Sequence, residues 1–103
     1  MISRQWRGLA KTARAQDYVE HLRTDTFPLL RKLPGFVDAS ILRRDVEHGV
    51  EFLVVTRWGS LEAIRNFSGD DVDAAVVPDK VQQMMIEYDS RVRHYEIVHT
   101  EGK

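Results

Sequence analysis

The stretch Val50 to Trp58, VEFLVVTRW, sets the first constraint on the fold. Phe52, Leu53, Val54 and Val55 follow one another without a polar break. Side chains alternate between the two faces of a strand, so a continuous apolar run predicts a strand covered on both sides. The chain must therefore place this strand inside a sheet and supply two covers. The sequence just beyond it is equally well punctuated. Ser60 stands where a helix N-cap belongs, Leu61 to Phe67 reads as a short helix, and Gly69-Asp70-Asp71 ends it.

The remaining elements follow from periodicity. Ile2 to Ala10 reads as a strand with Ile2, Arg4, Trp6 and Gly8 on one face. From Arg14 to Leu33 the pattern is helical, with Tyr18, Val19, Leu22, Thr26, Leu29, Leu30 and Leu33 forming one stripe. Pro28 lies inside that stripe and predicts a kink or break near Thr24 to Phe27; Pro34-Gly35 ends the helix. Phe36 to Val46 reads as a strand, joined to the Val50 strand by the turn Glu47-His48-Gly49. A short helical piece follows Asp71, and Pro78 is expected to open a helix reaching about Ile86. Arg91 to His99 reads as the last strand, with His94 on one face beside Val92 and Glu96.

The order is β-α-β-β-α-β, an α+β chain whose helices cover one face of a four-stranded antiparallel sheet. The second face needs a cover that one chain does not provide, so a symmetric homodimer packed sheet against sheet is expected. At 103 residues the chain is expected to form one domain over 1–103. A domain of this size buries roughly 60–65% of its unfolded surface, which suffices for a core without staples. Net charge is −1, from 15 basic and 16 acidic residues, so no field draws in nucleic acid or an anionic membrane. There is no cysteine, which excludes disulfides, thiolate metal sites and cysteine nucleophiles. The N-terminus lacks the apolar core of a signal peptide, and no apolar run approaches the ~18 residues of a span. A cytoplasmic protein with neither nucleic-acid nor membrane partners is expected.

Three stretches together carry a resemblance: YVEHLRTDTFPLLRKLPGF (Tyr18 to Phe36), EFLVVTRWGSLEAIRNFSG (Glu51 to Gly69) and HYEIV (His94 to Val98). The chain resembles the antibiotic biosynthesis monooxygenase family of dimeric α+β barrels. Its most specific parts are Pro34-Gly35-Phe36 and the block from Trp58 to Gly69. The resemblance implies a ferredoxin-like protomer, two sheets facing each other across a dimer, and a pocket in each protomer between sheet and helices. Some members oxidise phenols or quinols with O₂ and use neither metal nor organic cofactor, the deprotonated substrate supplying the electrons. The haem-degrading branch relies on an asparagine, a tryptophan and a histidine. The matching positions here are Gly8, Phe67, and Val76 or Val77, so the residues for that chemistry are missing.

Each candidate residue has a structural and a functional reading. Trp58 caps the core or forms a pocket wall, and Trp6 offers the same choice. Tyr18 lies on the buried stripe, where its hydroxyl needs a partner or a cavity. Phe67 is a core aromatic that matches a pocket position in relatives. Arg4 shares a face with Trp6 and either steadies a phenolate or pairs with a carboxylate across the dimer. His94 is a satisfied core or dimer residue, or the general base of the site. His21 falls one turn from Tyr18; His48 and His99 read as surface residues. Histidine spacing fits no metal motif, so no metal is expected. Asp70, Asp71 and Asp73 read as a solvated turn, and Arg43-Arg44 is too short for nucleic-acid binding.

Two functions follow. One is a cofactor-independent monooxygenase for a small phenol- or quinol-like substrate, with His94 as catalytic base and Arg4, Trp6, Tyr18, Trp58 and Phe67 contacting the substrate. The other is a non-catalytic dimer that binds a small apolar ligand, as in a stress response. A structural dimer module acting through a protein partner is a third possibility.

Overall fold

The hairpin at the middle of the chain is the frame for everything else. A computed structural model describes all residues, 1–103. In it β2 (Phe36–Val46) and β3 (Gly49–Trp58) pair antiparallel from Phe36 opposite Trp58 to Val46 opposite Gly49, with a register shift between Phe36 and Asp38. The free edge of β3 takes β1 (Ile2–Ala10), antiparallel, with Ile2 opposite Trp58 and Ala10 opposite Val50. The strand most apolar in sequence thus lies inside the sheet, hydrogen-bonded on both edges.

The far edge of β1 is shared by two short strands. β4 (Met85–Tyr88) pairs with Gly8 to Ala10, and β5 (Arg93–Glu96) pairs with Ile2 to Gln5. Together they fill the fourth position of a ferredoxin-like sheet. Between them the chain turns aside to meet the segment before Pro78: Ala75 N donates to Ser90 O at 3.0 Å and Val92 N to Asp73 O at 2.8 Å. This corrects the expected helix from Pro78 to Ile86. Only Asp79–Gln82 is helical (α4), and Met85 onward is strand. Local pattern favours helix there, but the β1 edge would otherwise leave buried amides and carbonyls without partners, and that demand wins.

The first helical stretch is interrupted where the proline predicts. A 3₁₀ turn, Thr12–Arg14, leads into α1 (Ala15–His21), then a π-helical turn, Leu22–Thr26, then α2 (Phe27–Leu30). Pro28 offers no N–H to the carbonyl one turn back, and its ring crowds that turn. A widened turn relieves both problems. It also sets Thr26 and Phe27 against the sheet. Helix α3 (Leu61–Ser68) has the expected cap, Ser60 Oγ accepting from Ala63 N at 3.1 Å. Gly69, at φ 81°, takes a backbone conformation that side chains disfavour and closes the helix by donating to Arg65 O.

All helices lie on the face carrying the even-numbered residues of β1 and β3. Two core clusters form there. One gathers Tyr18, Leu22, Val50, Phe52, Met84 and Met85; the other holds Leu30, Trp58, Ala63 and Ile64. The opposite sheet face carries Leu9, Leu53, Val55 and Leu42, and no element of the chain covers it. No helix is long and apolar enough to cross a membrane.

Candidate functional site

A cavity of about 70 Å³ separates the two core clusters. Trp6, Tyr18 and Leu22 wall it on one side, and Phe27, Leu30 and Phe67 on the other. Nine of its twelve lining residues are hydrophobic, so the polar ones decide its chemistry. Those are Arg4, Thr26 and Thr56. Arg4 and Thr56 are direct neighbours across the β1–β3 ladder, which puts both side chains on the helix-facing side at mid-sheet.

Arg4 is 4% exposed. Its Nη1 donates to Val72 O at 2.6 Å and to His94 Nε2 at 3.0 Å, and its Nη2 donates to Ala74 O at 2.8 Å. Arginine only donates, so His94 Nε2 is the acceptor, and the ring hydrogen sits on Nδ1 facing Asp73 Oδ1 at 2.9 Å. No carboxylate touches Arg4 directly; Asp73 reaches it through the imidazole. Burial lowers the Arg4 pKa to about 10, with Asp73 acting the other way, so the group is still a cation at neutral pH. A guanidinium has five N–H groups, and the Nε–H of Arg4 has no protein partner. Buried cations are ordinarily paired, and here the compensating charge is Asp73, one imidazole away.

Tyr18 lies across the cavity. It is buried, its hydroxyl makes no hydrogen bond within the protein, and burial pushes its pKa above the ordinary phenol value. It is therefore a neutral donor at neutral pH. Trp6 packs between Tyr18 and Tyr88, with ring centroids at 5.9 and 6.4 Å. The Arg4 guanidinium also stands over the Phe67 ring, 5.7 Å from its centre.

Of the residues singled out in the sequence, Arg4, Trp6, Tyr18 and Phe67 line the cavity. Trp58 and His94 stand behind that lining. Trp58 is fully buried, donates from Nε1 to Thr56 Oγ1 at 2.8 Å, and stacks on Phe67 at 6.3 Å. His94 sits behind Arg4. His21 is buried beside the π-helical turn. Its Nε2 lies 3.3 Å from Thr26 Oγ1, and its Nδ1 comes within 3.3 Å of Asp25 without hydrogen-bond alignment. His48 and His99 are exposed. No three His, Asp or Glu residues are grouped to hold a metal ion. The sequence reading passed over Thr26, Phe27 and Val76 as lining residues and Asp73 as the partner of His94. The proline at 28 was the available signal for the first two.

The three haem-branch positions have a physical reading too. A Cβ on Gly8 would overlap the Trp6 indole, meeting its Cζ3 at 2.8 Å, so an asparagine has no room there. Phe67 sits between Trp58 and Arg4, and Val76 contributes only a methyl surface to the cavity.

Fold and cavity define a ferredoxin-like α+β chain with a small, mostly apolar recess under its helices. Residues 1–77 match the family described as antibiotic biosynthesis monooxygenase, and the chain belongs to that family. No curated protein matches the chain. Among solved structures it is similar to a Bacillus cereus protein provisionally assigned as an antibiotic biosynthesis monooxygenase. The two are 25% identical, with TM-score 0.69, over 99% of this chain and 97% of that one. It is similar in fold to SnoaB, a cofactor-independent oxygenase from Streptomyces nogalater, at 16% identity and TM-score 0.62 over 99% and 97% of the two chains. It is likewise similar in fold to MhuD, a haem degrader from Mycobacterium tuberculosis, at 20% identity and TM-score 0.60 over 99% and 100%.

Proposed function

We propose that the protein is a cofactor-independent monooxygenase acting on a small aromatic substrate with an ionisable oxygen, a phenol or quinol. The observation that carries this reading is Arg4, a buried cation without a direct ion pair, set in the wall of an aromatic cavity. A substrate oxygen between the Arg4 Nε–H and the Tyr18 hydroxyl meets two donors. A fixed cation in a largely apolar wall favours the phenolate over the phenol. The anion is electron-rich enough to react with O₂ directly. For a phenol oxidised to a quinone, one atom of O₂ becomes the new carbonyl oxygen. The other leaves as water with the hydroxyl hydrogen and one ring hydrogen, and the substrate supplies all four electrons.

His94 is the proposed base. When the guanidinium turns its Nη1–H from the imidazole to the substrate oxygen, His94 Nε2 becomes free to take the proton, and Asp73 stabilises the imidazolium. Trp6 and Phe67 flank the ring, and Trp58 acts from behind by fixing Phe67. Oxygen uptake with a panel of phenols and quinols tests the reading, with Arg4→Met and His94→Ala as controls. Both variants are expected to lose most activity, His94→Ala while still binding substrate. Uptake no faster than the buffer rate across the panel would remove the proposal.

One observation favours a second reading. A cavity of about 70 Å³ is smaller than the roughly 150 Å³ that accommodates benzene, so a ring enters only if a wall yields. A non-catalytic binding protein for a smaller apolar ligand fits the cavity without movement. Ligand binding without oxygen uptake would select it. For either function we propose a homodimer closed over the uncovered sheet face.

A further inference from the structure

The cavity has one rigid wall and one soft wall, and this difference bears on which ligands it admits. The rigid wall is Trp6. Its Nε1 donates to Asp89 O at 2.9 Å, its ring is packed between Tyr18 and Tyr88, and it lies over Gly8 so closely that a Cβ there would overlap it. The indole cannot swing toward Gly8, and swinging away breaks its hydrogen bond. The soft wall is the segment ending at Pro78, which lies outside the helices and strands and carries Val76 against the cavity. Val76 is 44% exposed, so it moves outward into solvent without leaving a buried void.

Resting on the reading that the cavity takes an aromatic anion, we propose that Trp6 is its specificity determinant and restricts it to single-ring substrates. Arg4, Trp6 and Val76 line one small cavity, so a ring held at Arg4 shares it with an indole that does not move aside. A second fused ring needs volume that the indole occupies. Gly8 belongs to the same device: it is the residue type that allows the indole to lie across the strand.

The test is equilibrium dialysis with phenol, naphthol and anthrol against the wild-type protein, Trp6→Val and Gly8→Ala. The wild type is expected to prefer phenol over naphthol by roughly tenfold or more and to leave anthrol unbound, the scale on which pocket shape discriminates. Trp6→Val is expected to reverse that order. Gly8→Ala, which displaces the indole, is expected to erase the preference. If Trp6→Val does not fold, Trp6→Phe serves, with a smaller gain for naphthol as its expected result. An equal affinity ladder in the wild type, an unchanged order in the variants, or no binding of any of the three would overturn the inference. Binding needs no O₂, so an intact ladder without oxygen uptake would remove the oxygenase reading and leave the size limit standing.

Discussion

The buried guanidinium of Arg4 sets two terms against each other. Burying its charge is unfavourable, as its lowered pKa of about 10 records. Against that stand hydrogen bonds to Val72 O, Ala74 O and His94 Nε2, and bonds from a charged donor contribute about 1.5–3 kcal/mol each. Arg4→Met keeps the stem, removes the charge and strands three acceptors. The hydrogen bonds outweigh the desolvation, and water recovers part of the loss at the half-open segment. We expect a net destabilisation of about 1–3 kcal/mol in urea unfolding. An unchanged or higher urea midpoint would mean that the cation is kept for function alone. Sequence reasoning reached Arg4 and Trp6 because the strand period puts them on one face, Tyr18 because it falls on the buried helical stripe, and Phe67 because the family resemblance places a pocket residue there. It missed Asp73 as the partner of His94 because the two meet through a non-local segment whose path no periodicity encodes.

At the scale of elements, punctuation in the sequence proved more legible than propensity. Ser60, Gly69, Pro34-Gly35 and Pro28 each mark a boundary that the backbone respects. Gly35 shows why: its φ is 85°, and a Cβ there would collide with that of Ala63. The start of β4, Met85 and Ile86, was misread as helix because helical spacing is a local signal, whereas the partner of β4, Gly8 to Ala10, lies at the other end of the chain. The Ser60 cap offers a clean measurement. Its side chain serves Ala63 N and is exposed, so Ser60→Ala removes one capping bond and disturbs little packing. A loss of about 1 kcal/mol is expected, read as a shift of the urea midpoint at constant m-value. A loss much larger than that would mean that α3 depends on its cap rather than on Ile64 and Ala63 packing against Trp58.

At the scale of the molecule, charge and the uncovered sheet face make separate predictions. Asp38, Asp71, Glu51 and Asp25 all have lowered pKa values, held down chiefly by hydrogen bonds from Arg57, Arg91, Arg44 with Arg7, and Lys80. A carboxylate whose folded pKa lies below its unfolded value binds its proton more readily in the unfolded chain. Its contribution is complete above the unfolded pKa, about 4.5 for Glu and 3.8 for Asp, and fades as pH falls through the folded value. Stability should therefore be level from neutral pH to about 5 and decline below it, less steeply in Arg57→Ala. These pairs are exposed or half-buried, so salt should flatten the decline. The uncovered face has the anatomy of an interface. Leu42, Leu53 and Val55 form an apolar centre on adjacent strands, with Leu42 47% exposed. Ion pairs border it, Arg7 and Arg44 on Glu51 at 2.8 and 2.6 Å and Arg57 on Asp38 at 2.8 Å. An apolar middle with a charged rim is what two copies need to pack sheet on sheet. Leu53→Asp tests it, because this side chain points away from the helices and its replacement leaves the protomer core intact. In a dimer the new carboxylate would be buried unpaired beside its symmetry mate, and dimer affinity should fall roughly 100-fold or more. Sedimentation equilibrium should give a dimer for the wild type at micromolar concentration and a folded monomer for Leu53→Asp. A wild type that sediments as a monomer, or a variant that dimerises equally well, would leave the outer face of β3 without its proposed cover.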